Sequence, residues 1–194
     1  MTLDQLDLNG TYTYEDYLKW TFEERLELIK GKIFKMSPAP SRKHQEVHRN
    51  LFSALDRFLE KKPCKLYSAP FDVRLTPRKK DKSGKIYTVV QPDICIICDL
   101  EKLDDFGCVG APDFIIEILS PGNTRKEMKE KYEVYEENGV SEYWIIHPYD
   151  GYILKYILGE NNKYSLGVHY FDDELVESES LKGLKIKVKD MFKD

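Results

Sequence analysis

No stretch of this 194-residue chain approaches the ~20 consecutive apolar residues that a membrane-spanning helix requires, and membrane spans are not expected. The acidic start Met1-Thr2-Leu3-Asp4 lacks the basic and apolar regions of a secretory signal, so the expected setting is cytoplasmic. Cysteine is scarce: Cys64, Cys95, Cys98 and Cys108 in a chain of this length read as reduced core residues rather than a disulfide framework. The formal net charge of −4 excludes the broad basic surface of a protein that coats nucleic acid, and any such contact must be local. There is no Gly-rich phosphate loop, no Gly-x-Ser-x-Gly nucleophile turn, no internal repeat and no low-complexity linker. Cys95 and Cys98 lack a second pair, and His44-Gln45-Glu46-Val47-His48 lacks the acid directly after its first histidine, so neither reads as a zinc site.

What is present is enough apolar sequence, 41% of residues, for one compact domain over 1–194. Thr13 and Asp16 mark the start of a short helix over 14–20, and Leu26 to Ile29 with Lys32 to Met36 reads as a hairpin about Lys30-Gly31. From Ser41 a long helix is expected, because His44, Val47, His48, Leu51, Leu55 and Phe58 recur at helical spacing up to Lys62-Pro63. Phe71 to Thr76 alternates like a strand with one wet face, whereas 89–98 and 113–119 are apolar on both faces and belong in the centre of a sheet. A second helix follows Pro121-Gly122-Asn123, with Thr124 and Glu127 in capping register and Asn138-Gly139 as its stop. Strands over 142–147, 152–158, 163–170 and 184–188 complete the expected α/β fold, a mixed central sheet flanked by helices with an N-terminal hairpin and C-terminal antiparallel strands.

Three ionisable residues interrupt this apolar pattern. Asp93 lies in Val89-Val90-Gln91-Pro92-Asp93-Ile94-Cys95-Ile96-Ile97, Glu117 in Phe114-Ile115-Ile116-Glu117-Ile118-Leu119, and Lys131 on the second helix. A buried carboxylate loses several kcal/mol of hydration, so two of them in core-type strands call for a cation or a proton. Carboxylates with waters suit Mg²⁺ or Mn²⁺, which keep positions open for a phosphate oxygen and an attacking water. Lys131 shares its helix stripe with Met128, Tyr132 and Tyr135, which aims its ammonium at the sheet. There it is placed to orient or deprotonate water and to offset transition-state charge, and on the stripe argument a Met replacement leaves the fold intact. The dense basic stretch Arg78-Lys79-Lys80-Asp81-Lys82-Ser83-Gly84-Lys85 is expected as a loop between two strands, and its Arg78, Lys79, Lys80 and Lys82 are candidate DNA-phosphate contacts.

Gln91-Pro92-Asp93, then Gly110-Ala111-Pro112-Asp113-Phe114-Ile115-Ile116-Glu117-Ile118-Leu119-Ser120-Pro121, then Lys131 with Tyr135, then Gly139-Val140-Ser141-Glu142-Tyr143-Trp144-Ile145-Ile146 together closely resemble the Uma-two family of restriction-endonuclease-like proteins, a branch of the PD-(D/E)xK nuclease superfamily. The resemblance implies a metal-dependent endonuclease that hydrolyses DNA phosphodiesters with Mg²⁺ or Mn²⁺, or, as the alternative, a catalytically silent nuclease fold kept as a DNA-binding or protein-interaction module. Asp93 matches the first metal-binding acid and Glu117 the second. The superfamily lysine, normally two positions on, is Leu119 here and looks relocated to Lys131. Glu27 matches an additional acid of the metal shell, His44 matches an accessory family position, and Asp113 competes as first acid because it too follows a proline. DNA is the implied partner, and because related nucleases often pair two sites to cut two strands, a homodimer is the implied assembly. His147 departs from the family, which has aspartate before the proline at that point.

Overall fold

The computed structural model describes residues 6–21, 24–36, 39–76, 84–122 and 125–193. The chain begins with α1 (Tyr14–Tyr17), where the Thr13 and Asp16 side chains each bond the other's backbone N–H in a reciprocal cap. The hairpin β1 (Leu26–Ile29) and β2 (Lys32–Lys35) turns through Lys30 at φ 51° and Gly31 at φ 76°. A Cβ on Gly31 would lie 2.6 Å from Thr11 Cγ2, so the turn requires glycine on both steric and backbone grounds. Helix α2 (Arg42–Leu59) starts at Ser41, whose hydroxyl accepts the His44 N–H.

Then follow β3 (Lys65–Ser68), β4 (Val73–Leu75), β5 (Thr88–Val90), β6 (Ile94–Ile97), β7 (Leu103–Asp104), β8 (Gly107–Val109) and β9 (Phe114–Ile118). Helix α3 (Arg125–Asn138) leads into β10 (Glu142–His147), β11 (Tyr152–Ile157), β12 (Val168–Phe171), β13 (Leu175–Glu177), β14 (Lys185–Lys187) and α4 (Val188–Met191). The expected mixed α/β architecture is distributed over two six-stranded sheets, ordered β2-β1-β5-β4-β8-β7 and β12-β11-β10-β9-β6-β3. In the second, β9, α3 and β10 form a parallel βαβ unit, while β6 runs antiparallel to β9. Val47, Leu51 and Leu55 of α2 pack on Ile94, Phe114, Ile116 and Trp144 from one face. Val134 and Tyr135 of α3 pack on Ile115, Tyr143 and Ile145 from the other, which explains why these strands are apolar on both sides.

Several elements differ from the sequence pattern. The 89–98 run is not one strand: β5 and β6 belong to different sheets, and the chain crosses between them at Gln91-Pro92-Asp93. Proline has no N–H to give a ladder, so a break there costs little. The alternation over 71–76 does not leave one face wet: Arg74 is buried, ion-paired to Asp104 and set 5.2 Å over the Tyr14 ring. Cys64 and Cys98 are not reduced core residues but a disulfide. They stand opposite each other because β3 and β6 pair with Lys65 across from Ile97. Of the expected 163–170 strand only 168–170 pair, as part of β12, and an isolated bridge joins Leu158 to Tyr164. The helix stop is as read, with Gly139 at φ 93° donating to Tyr135 O, whereas Thr124 lies outside the described residues. Fully buried Glu142 ties β10 to the C-terminal segment, accepting from Trp144 Nε1 and from the backbone N–H groups of Glu179 and Ser180.

Candidate active site

The site forms where α2, α3, β1 and the strands β6 and β9 converge. Glu117 is the fourth residue of β9, and strand alternation turns it toward α3 while Ile116 and Ile118 face α2. The register that pairs Ile94 with Ile116 carries Asp93, one residue before β6, to the level of Glu117. Asp93 is half-buried on the crossing segment rather than within a strand. Its Oδ2 accepts the Ile118 N–H at 2.7 Å and lies 3.3 Å from His44 Nε2. Burial alone would push its carboxyl up, but His44 and the Ile118 N–H outweigh this and hold it below the ordinary aspartate value.

Lys131 Nζ stands 2.9 Å from Glu117 Oε1 and 3.1 Å from Glu27 Oε1. The helix stripe therefore delivers the ammonium between two carboxylates, and Glu27, only 2% exposed on β1, is part of the cluster and no free hairpin charge. Gln91 N–H donates to Glu27 Oε1 at 2.8 Å, and Tyr135 Oη donates to Glu117 Oε1 at 2.6 Å. Two acids thus flank one ammonium, with the charge of Asp93 felt nearby, and two consequences follow. Burial pushes Glu117 up to about 7, aided by the charges of Asp93 and Glu27 and only partly countered by Lys131 and the Tyr135 hydroxyl. Burial also opposes the charge on Lys131, yet Glu117 and Glu27 overcome it and hold the ammonium well above the ordinary lysine value. Lys131 is accordingly a fixed cation and not a proton acceptor near neutrality.

These groups open into a cavity of about 110 Å³ whose wall includes Arg25, His44, Gln91 and Ser120. Sequence reasoning passed over Arg25 and the Gln91 side chain. The exposed Arg25 guanidinium donates to Gln91 Oε1 at 2.8 Å, while Gln91 Nε2 donates to Asp72 Oδ1 at 2.8 Å. Gln91 is thereby fixed at both ends, with its carbonyl toward Arg25. Tyr135 stands on the apolar stripe, but nothing local in the sequence signals its hydroxyl contact with Glu117. Asp113 is not brought to the site: its Oδ2 accepts the Cys98 N–H at 2.7 Å, a structural bond that fixes the strand after Ile97. The basic residues Arg78, Lys79, Lys80 and Lys82 lie outside the described residues.

The donor chemistry fits a divalent ion at Asp93 and Glu117. Among the described residues no three His, Cys, Asp or Glu side chains converge as a ready metal cluster, so a cage completed by Glu27 is not preformed. The hydrogen bonds described for Asp93 fall on Oδ2 and those for Glu117 on Oε1, which leaves one hard oxygen of each as a donor. Two such carboxylates with waters and substrate oxygens suit Mg²⁺ or Mn²⁺, which keep several waters when bound.

Against known proteins, a family model named Uma2 and described as "Putative restriction endonuclease" matches residues 14–189. A crystal structure titled as a "putative nuclease belonging to DUF820" from Anabaena variabilis ATCC 29413 superposes with a TM-score of 0.73. It is 21% identical, over 93% of this chain and 97% of that one, a likeness of fold. No curated protein matches the chain.

Proposed function

The chain belongs to the Uma-two family, and from that premise we propose that it is a divalent-metal-dependent endonuclease hydrolysing DNA phosphodiester bonds. The observation that carries the reading is the Lys131 ammonium, held 2.9 Å from Glu117 in a pocket it shares with Asp93. Asp93 and Glu117 would hold Mg²⁺ or Mn²⁺, which supplies Lewis-acid neutralisation of a phosphate and acidifies water when bound. The chain's own groups do the rest. Lys131, cationic throughout the neutral range, orients water and offsets the charge that builds on the phosphoryl oxygens. Arg25, pinned by Gln91 and open to solvent, takes a phosphate oxygen of the DNA backbone. His44 and the Ile118 N–H keep Asp93 ionised and oriented.

A second reading, a nuclease fold that binds without cutting, draws support from the net charge of −4 and from the missing preformed three-ligand cluster among the described residues. Incubating purified protein with supercoiled plasmid, linear duplex and single-stranded DNA, in Mn²⁺ or in EDTA, separates the two. Cleavage in Mn²⁺ alone is expected, together with calorimetric Mn²⁺ binding that disappears in the Asp93→Ala, Glu117→Ala double variant. Intact DNA in every condition, with Mn²⁺ affinity equal in both proteins, would sink the enzyme reading. No helix among the described residues is long and apolar enough to cross a membrane. The cytoplasmic setting is proposed from sequence, and the Cys64–Cys98 bond bears against it, since such bonds persist more readily in oxidising compartments. Thiol trapping in intact cells decides it.

A further inference from the structure

The face of the second sheet that carries Glu117 extends from β9 across β10 and β11 to β12. On that face three aromatic side chains stand directly opposite one another across neighbouring strands: His147 of β10 pairs with Tyr152 of β11, and Tyr152 with Phe171 of β12. The His147 and Tyr152 rings stack at 4.1 Å and 16°, and Tyr152 lies 5.5 Å from Phe171. Phe171 is 45% exposed, although such a ring would ordinarily be covered.

Where this row meets the catalytic rim there is a second, mostly apolar cavity of about 410 Å³ between Leu119, Ser120 and Pro121 on one side and His147, Pro148 and Tyr149 on the other, with the Asp150 carboxylate at its edge. Leu119 and Ser120 line both cavities, so the two are neighbours that share this stretch of wall. Tyr149 is 54% exposed yet held in place. Its hydroxyl donates to Ser41 Oγ at 3.1 Å, and Lys43 Nζ sits 5.2 Å over its ring.

We propose that this cavity and the aromatic row are a nucleobase-binding subsite for unpaired DNA beside the scissile phosphate, a reading that rests on the nuclease assignment and names its substrate class. Aromatic faces bind any base by stacking, and Lys43 adds a charge for the backbone that follows. Paired bases keep their faces inside the duplex, so only an overhang, gap or flap can present them to these rings. The substrate is therefore DNA with a single-stranded segment next to the cut, and blunt duplex is a poor one.

The test separates binding from cutting. Anisotropy of a fluorescein-labelled oligothymidine, with Ca²⁺ in place of Mn²⁺, is measured on wild type, Tyr149→Ala, Phe171→Ala and the double variant, with blunt duplex as competitor. Oligothymidine should bind more tightly than duplex, and each substitution should weaken it about tenfold while unfolding midpoints stay put, since both rings are exposed. In Mn²⁺, a tailed duplex should be cut faster than a blunt one, and the double variant should lose that preference. Cutting of both substrates at one rate, unaltered by the substitutions, would overturn the subsite and leave the nuclease intact. Base-dependent binding without any cutting would leave the subsite and remove the nuclease. Unchanged oligothymidine affinity with a dimer that becomes monomeric in Phe171→Ala would give the row to a second copy of the chain, and the proposal would fail.

Discussion

Lys131→Met is the perturbation that most sharply tests the charge balance of the site. Methionine keeps the length and packing of the stem but removes the ammonium from between Glu117 and Glu27, whose side chains are 11% and 2% exposed. Stripping one partner from a buried ion pair costs about 3–5 kcal/mol, because the remaining charge keeps its desolvation penalty. Here two carboxylates are left beside Asp93, so in EDTA at pH 8 the variant should lose at least the lower end of that range, which reverses the expectation from the helix stripe alone that methionine is harmless to the fold. The pH dependence gives the diagnostic sign. Glu117 already titrates at about 7 in the folded protein, against an ordinary 4.5, and loss of the ammonium drives it higher. A group whose folded pKa is raised binds a proton that the unfolded chain has released, so the folded variant recovers stability as pH falls from 8 toward 5. The deficit relative to wild type should shrink to about 1 kcal/mol at pH 5, the scale of the lost hydrogen bonds. Guanidinium unfolding followed by circular dichroism at pH 5, 6, 7 and 8 measures it. A deficit under about 1 kcal/mol at pH 8, or one that does not change with pH, refutes the counter-ion assignment. On the folded fraction, single-turnover cleavage in Mn²⁺ should fall by about 10² or more.

In metal-free wild type, the raised Glu117 makes stability decline as pH rises from 4.5 to 7, by about 3 kcal/mol, and Glu117→Gln should flatten that slope in the same denaturation series. Arg25→Met should leave the melting temperature within a degree or two of wild type, since the side chain is exposed, but should lower DNA affinity and reduce the salt dependence of binding by about one counterion in a filter-binding titration. Glu142→Ala strands the buried Trp144 Nε1 and Ser178 hydroxyl and unties the part-buried Glu179 and Ser180 N–H groups, so unfolding should become easier by about 3 kcal/mol or more, while cleavage per folded molecule holds at the wild-type rate. Mn²⁺ should raise the melting temperature of wild type and EDTA should reverse it, with no such shift in Asp93→Ala.

The residues that local pattern could flag are those that break one. Glu117 interrupts an apolar strand and Lys131 an apolar helix stripe, and both are visible without knowing what lies beside them. Arg25 breaks nothing, because a charge before a strand is ordinary, and its importance comes from a contact with Gln91 across 66 positions. Arg74 shows the opposite failure: alternation read it as wet, yet an ion pair with Asp104 and the Tyr14 ring let a charge sit inside. Cys64 and Cys98 look unrelated until β3 is known to lie beside β6, and a short strand of ordinary composition gives no sign of its neighbour. Asp113 follows a proline as Asp93 does, so the dipeptide cannot rank them. Four residues before Glu117 and just ahead of β9, Asp113 points its carboxylate at the Cys98 N–H, away from the site. Glu27 combines these cases. Its hairpin is plain from the sequence, but its burial depends on β1 pairing with β5, with Leu28 opposite Val89, which sets Glu27 against Gln91 and within reach of Lys131. The charges that make the site come from β1, the joint between β5 and β6, β9 and α3. Local chemistry marks which of them are costly to bury, and the strand order, which no local pattern encodes, decides that they share the cost in one place.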